Sequence, residues 1–128
     1  MRGRGLVLIL TGVVLAGCGS GPLRDILPAY IGAAEQQLAK GIRSFEEGDY
    51  RQAQQQIQAS LDGKLKTRYD QVNAHKYLAF VYCVTNRERQ CRDEFRRALE
   101  IDPSFDLDKT EAGHPIWGPV FRSVKAKK

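Results

Sequence analysis

Three cysteines and two histidines are the side chains with which this 128-residue chain could bind a metal ion or attack a substrate. His75 and His114 lie far apart in the sequence, and no further ligands accompany either of them at the spacing of a metal site. No nucleophile comes with a recognisable base. We therefore expect no metal site, no cofactor and no catalytic activity.

Adjacent carboxylates could act as an acid and base pair, and two such pairs occur, Glu46–Glu47 and Asp93–Glu94. They flank helix ends or lie among arginines, so we interpret them as solvated surface. Charge also excludes a nucleic-acid partner. Of the 20 basic residues, two lie in the N-terminal leader and three in the last four positions, which leaves 15 to match the 15 acidic residues. No basic face is expected.

The third cysteine follows an N-terminal export signal. Two arginines precede an apolar stretch, Leu6 to Ala16, that is too short to span a bilayer. Residues 15–18, Leu-Ala-Gly-Cys, resemble the lipobox of bacterial lipoproteins, in which the chain is cut before the cysteine and the cysteine receives lipid. The resemblance predicts a cleaved signal peptide at residues 1–17 and a lipid anchor on Cys18. A plain secretory signal with an incidental cysteine is the alternative.

The residue after the cysteine bears on the choice of membrane. In lipoproteins of this kind an aspartate at that position commonly retains the protein at the inner membrane, and here the residue is Gly19. We therefore expect the outer membrane, on its periplasmic face. Residues 18–27 form a predicted tether with a coil span of about 15–20 Å. Residues 28–128 are predicted to form a single domain.

Apolar residues in this domain recur at helical spacing. Two predicted helices flank a turn at Gly48, and Asp49 is placed to cap the second of them. A third helix is predicted from Thr67 to Val84 and carries Tyr69 among its apolar residues, and a fourth from Asn86 to Asp102. No long stretch alternates with a period of two. The predicted fold class is therefore all-α, built from two helical hairpins.

The two hairpins resemble each other. Aligning Gly48 with Asn86, at an offset of 38 residues, places small residues on small and large on large, for example Gly41 on Ala79. The second hairpin resembles a tetratricopeptide repeat, and the first matches more weakly. The offset exceeds the usual 34 residues, which predicts an extended loop between the repeats at residues 63–68.

Two repeats leave the ends of the stack open, so the C-terminal segment is predicted to cover the second repeat. Gly118–Pro119 is a suitable helix start, with proline at the first helical position. Trp117 is expected either to pack in this cap or, if exposed, to contact a partner. The tetratricopeptide resemblance also implies a partner-binding groove along the first helix of each repeat. It would be lined by Glu35, Leu38, Ile42, Asn73, Lys76 and Phe80. The alternative is that about half of these residues form the core between the repeats.

The remaining cysteines, Cys83 and Cys91, lie on consecutive predicted helices at equal distances from the turn near Asn86. Thiols placed opposite one another in an oxidising compartment usually pair. We therefore predict a disulfide, and two buried thiols in the core are the alternative.

Several stretches also resemble one family across most of the mature chain. They are "AHKYLAFVYCV", "ERQCRDEFRRALEIDPSF" and "EAGHPIWGPVFRSVK", together with the leader. These look like the TssQ-type lipoproteins associated with type VI secretion systems. The resemblance implies a non-catalytic scaffold or accessory factor near the secretion complex, with protein partners and neither nucleic acid nor a small-molecule substrate. A pilotin-like lipoprotein that escorts a secretin or pilus component is the alternative.

Overall fold

In a computed structural model of the chain, residues 31–127 are described. They form α1 (Ala33–Glu46), α2 (Tyr50–Asp62), α3 (Arg68–Val84), α4 (Glu88–Ile101), α5 (Lys109–Ala112) and α6 (Trp117–Lys125). No strand occurs in this range. The predicted all-α class is confirmed. The predicted signal peptide, the anchor at Cys18 and the tether at residues 18–27 lie outside the described residues.

The first hairpin, α1 and α2, turns at Gly48, whose φ of +82° lies in the left-handed region that glycine adopts without strain. Asp49 accepts a hydrogen bond from the Gln52 amide at 3.1 Å and so caps α2, as predicted. The helices cross closely at Gly41, where a Cβ atom would lie 3.0 Å from the Ile57 main-chain nitrogen. A small residue is therefore required at this crossing.

The second hairpin, α3 and α4, repeats this geometry. Thr67 accepts a hydrogen bond from the Asp70 amide at 3.0 Å and caps α3. Asn86 has a φ of +61°, so the turn residue aligned with Gly48 adopts the same left-handed conformation. The equivalence of the two hairpins extends to the backbone of their turns.

The two hairpins pack on each other around an apolar cluster that contains Leu38, Ile57 and Leu78. Leu65, from the extended loop between the repeats, is 4% exposed and belongs to the same cluster. The Gln71 side chain donates a hydrogen bond to the Leu65 carbonyl oxygen at 2.9 Å. The loop therefore contributes to the core between the repeats.

A second cluster joins α6 to α3 and α4, so the predicted C-terminal capping helix is confirmed. Phe121 packs edge-to-face on Phe95 of α4, with ring centroids 5.1 Å apart. The helix begins at Trp117, two residues before Pro119, so the proline occupies the third helical position rather than the first. The first-turn amides of a helix have no intrahelical acceptor, and proline at this position therefore costs no backbone hydrogen bond.

Candidate functional site

An open cleft of about 510 Å³ lies between the first half of α3 and the chain that follows α4. Its α3 wall contains Tyr69, Val72, Asn73 and Lys76, which follow one another at helical spacing. Tyr69 is 77% exposed, although its predicted place was on the apolar face of the helix. Arg68 is exposed as well, so the first turn of α3 carries two exposed side chains at the cleft.

The opposite wall is residues 102–111, which are shaped by local hydrogen bonds. Asp102 accepts bonds from the Ser104 amide and hydroxyl at 3.0 and 2.6 Å, and these bonds turn the chain after α4. Asp108 and Glu111 form a reciprocal capping box that starts α5. Sequence reasoning missed α5, although the Asp-x-x-Glu signature of the capping box is present at positions 108–111. Phe105 supplies the apolar part of this wall.

Two ion pairs and a hydrogen bond connect the walls of the cleft to each other, to the end of α4 and to α6. Lys76 Nζ donates to Glu111 Oε1 at 2.6 Å, with both side chains largely buried. Arg68 Nη2 donates to the carbonyl oxygen of Ile101 at 2.6 Å. Lys125 of α6 pairs with Asp106 at 2.7 Å, and its hydrogen bond holds the pKa of Asp106 below the ordinary value.

The lining of the cleft carries more negative than positive charge. Its carboxylates belong to Asp102, Asp106, Asp108 and Glu111, whereas Arg68 and Lys76 are its cations. The neighbouring Tyr77 lies near two of these carboxylates. Burial raises the pKa of the Tyr77 hydroxyl, and the nearby carboxylates of Glu111, Glu46 and Asp108 raise it further.

Phe80, which was assigned to the groove, and Trp117, which was considered as a separate partner contact, are both used inside the chain. The indole of Trp117 lies between the rings of Phe80 and His114, at centroid distances of 4.1 and 3.4 Å. Its Nε1 donates a hydrogen bond to the Glu111 carbonyl oxygen at 2.8 Å. Trp117 is 8% exposed, so of the two roles considered for it, the structure gives it the packing role.

The residues of α1 that were assigned to the groove also have partners inside the chain. Leu38 is buried between the repeats, and Ile42 packs against the same cluster. Glu35 Oε1 accepts a hydrogen bond from the Lys66 amide at 3.2 Å. Hydrogen bonds from its own amide and from that of Lys66 lower the pKa of Glu35. Of the predicted groove residues, Asn73 and Lys76 are the two that line the cleft.

The remaining cysteines form the predicted disulfide. The Sγ atoms of Cys83 and Cys91 are 2.05 Å apart and their Cα atoms 5.2 Å apart. The bond joins the end of α3 to the start of α4 across the turn at Asn86. It is buried in the second cluster, which also contains Phe80 and Phe95.

The pair Asp93–Glu94 requires a correction. Glu94 is 4% exposed rather than solvated. Its Oε2 lies 2.6 Å from His75 Nδ1 of α3, and its Oε1 accepts a hydrogen bond from Arg97 at 2.7 Å. The signal was present in the sequence. Position 94 falls on the buried face of α4, in the helical series formed by Cys91, Glu94, Phe95 and Ala98.

Over residues 31–127, no three or more histidine, cysteine or acidic side chains are grouped so as to hold a metal ion. Within the same range, no helix combines the length and the apolar character needed to cross a membrane. Comparison with protein-family models, with curated proteins and with solved structures gives no match. The likeness to type VI lipoproteins therefore stays a prediction from the sequence.

Proposed function

We propose that this chain is a lipid-anchored scaffold that holds protein partners on the periplasmic face of the outer membrane and serves as an accessory factor of a type VI secretion system. It acts without catalysis, and its one attached group is the lipid on Cys18. The leader with its lipobox-like Leu-Ala-Gly-Cys sequence supports the anchor. The three quoted stretches between residues 74 and 125 support the link to type VI secretion.

The observation that carries the scaffold function is the open cleft between α3 and residues 102–111. Helical-hairpin stacks present side chains on a rigid surface, which favours binding of another protein over chemistry. Here the cleft walls are held by α3, by the capping box of α5 and by the pair of Lys76 with Glu111. The cleft is therefore formed before a partner arrives, which lowers the entropic cost of binding.

Mild cross-linking in intact cells tests the proposal. The tagged protein is purified after cross-linking, and the captured proteins are identified by mass spectrometry. Enrichment of type VI membrane-complex or baseplate proteins is expected. Capture of a secretin or pilus protein instead would favour the escort function, and capture of neither would contradict both.

The Cys18→Ala variant is the matched control, because it removes the anchor and leaves residues 31–127 unchanged. It is expected to stay folded, to leave the membrane fraction and to lose most of the captured partners, since acyl chains contribute about 0.8 kcal/mol per buried CH₂ to membrane binding. A variant that still sediments with membranes would contradict the lipid anchor.

A further inference from the structure

We propose that the cleft between α3 and residues 102–111 binds an extended peptide segment of a protein partner that presents a lysine or arginine side chain beside an apolar one. This inference rests on the proposed scaffold function and specifies the chemistry of the partner.

The shape of the cleft fits a peptide. Its volume of about 510 Å³ falls inside the range of roughly 300–1,000 Å³ that is typical of ligand sites. It is open to solvent, so a chain can lie in it and continue beyond it. The side-chain amide of Asn73 lies in the α3 wall and has no hydrogen-bond partner among residues 31–127. A side-chain amide both donates and accepts, so Asn73 can pair with the main chain of a bound peptide.

The apolar lining of the cleft includes one side chain that is largely exposed, Tyr69. Tyr69, at 77% exposure, is one of three large apolar side chains that stay exposed in residues 31–127. Val72 and Phe105 continue the apolar surface into the cleft. Tyrosine is enriched at protein interfaces because its ring buries a large area while its hydroxyl can still bond to a partner. An apolar side chain of the partner is expected to pack here.

The charge of the cleft selects the second side chain. Lys76 is already paired with Glu111, and Arg68 donates to the Ile101 carbonyl oxygen. Asp106 pairs with Lys125 yet keeps a side-chain exposure of 66%, so it remains accessible to a further cation. The lining holds four carboxylates against two cations. This excess of negative charge attracts a lysine or arginine and repels an acidic side chain.

The same charge disfavours a membrane surface as the occupant. The carboxylates of the cleft would repel anionic lipid headgroups. In a peptide with a cation next to an apolar side chain, the apolar side chain can pack on the tyrosine and the cation can pair with the carboxylates. The observations therefore favour a protein partner.

Peptide binding to the full-length protein in detergent tests the inference. The probes are fluorescent decapeptide mixtures that share a fixed central pair, Lys-Leu, Arg-Leu, Gln-Leu or Glu-Leu, with Gly, Ser and Ala at the other positions. Anisotropy is expected to show that the Lys-Leu and Arg-Leu mixtures bind at least about tenfold more tightly than the Glu-Leu mixture. Added salt is expected to reduce this difference.

Two cleft variants and one control assign the binding to this surface. Tyr69→Ala is expected to weaken the Lys-Leu mixture about tenfold, and Asp106→Asn about two- to fivefold, as for a partly exposed charge pair. Glu47→Gln removes an exposed carboxylate at the end of α1, outside the cleft, and is expected to leave binding unchanged. Both cleft side chains are exposed, so the variants are expected to keep the helical circular dichroism of the parent.

The inference is overturned if Lys-Leu and Glu-Leu mixtures bind alike, if none of the mixtures binds, or if binding survives Tyr69→Ala unchanged. Binding of phosphatidylglycerol vesicles that is lost in Tyr69→Ala would assign the surface to a membrane instead. Self-association lost in the same variant would assign it to a second copy. None of these results decides the scaffold function, which the cross-linking experiment tests separately.

Discussion

The rings of Phe80 and Trp117 stack with centroids 4.1 Å apart and planes inclined by 20°. This contact joins the third helix to the first residue of the last one within the second cluster. The indole is hydrogen-bonded as well as stacked. The aromatic pair is therefore expected to be a main source of the stability of the C-terminal cap.

Replacing Trp117 with alanine is expected to lower the free energy of unfolding by about 3–5 kcal/mol, the usual loss when a buried aromatic is truncated. Urea denaturation followed by circular dichroism measures the change. Ile116→Ala is the control, because the neighbouring Ile116 is 48% exposed; it is expected to cost less than about 1 kcal/mol. Equal losses in the two variants would contradict the packing role of Trp117.

The Cys83–Cys91 disulfide closes a small loop, with a sequence separation of 8. Its removal in the double variant Cys83→Ala, Cys91→Ala is expected to lower the free energy of unfolding by about 2–3 kcal/mol. Reductant should destabilise the parent and leave the variant unaffected. A parent protein that shows no response to reductant and contains free thiols by alkylation would show that the bond does not form.

The contact of His75 with Glu94 is expected to contribute to the pairing of α3 with α4, because Glu94 is buried and its carboxylate needs partners. A double-mutant cycle with His75→Ala and Glu94→Ala is expected to give a coupling free energy of about 1–3 kcal/mol.

The exposed pair of Asp93 with Arg96, on the same helix, is the control for this cycle. Its coupling free energy is expected to lie below about 1 kcal/mol. Couplings of equal size in the two cycles would show that burial adds nothing to the His75–Glu94 contact.

The pair of Lys125 with Asp106 predicts a pH dependence. The hydrogen bond from Lys125 holds the pKa of Asp106 below its ordinary value of 3.8. A carboxyl group with a lowered folded-state pKa stabilises the fold above its unfolded-state pKa, and this stabilisation is lost as the pH falls through the folded-state pKa. The part of the free-energy difference between the parent and Lys125→Met that comes from the Asp106 pair is therefore expected to be present at pH 7 and to begin to fall near pH 3.8. It is expected to be lost below the folded-state pKa of Asp106, whereas the hydrogen bond from Lys125 to the Phe105 carbonyl oxygen does not titrate.

Carboxyl chemical shifts from NMR measure the same effect directly. In Lys125→Met the pKa of Asp106 is expected to rise towards 3.8. Glu35, whose pKa is lowered by other groups, is the internal reference and is expected to titrate as before. An unchanged Asp106 titration would show that Lys125 does not hold this carboxylate in solution.

Sequence reasoning predicted those features that depend on neighbouring residues. The helical spacing of apolar residues, the turn at Gly48 and the cap at Asp49 are local, and all three are confirmed. The alignment of Gly48 with Asn86 extended the prediction to the second hairpin. The disulfide followed because its cysteines flank that turn.

Features that depend on distant residues were harder to predict. Tyr69 is an aromatic residue among the apolar residues of its helix, yet it is 77% exposed, because exposure depends on which distant elements pack over the first turn of α3. Glu94 looks solvated beside Asp93, and its burial depends on His75 lying opposite on α3. Most of the cleft was likewise missed, because one wall is the irregular chain at residues 102–111, whose position follows from packing rather than from periodicity.

The capping helix α6 has a consequence for self-assembly. It covers the outer side of the second hairpin through Phe121, Val120 and Val124, so within residues 31–127 the first hairpin alone keeps a side on which another hairpin could stack. Head-to-tail growth into a filament requires two different complementary faces, and one of them is covered here. Stacking through the first hairpin could only be reciprocal, and it would stop at two copies.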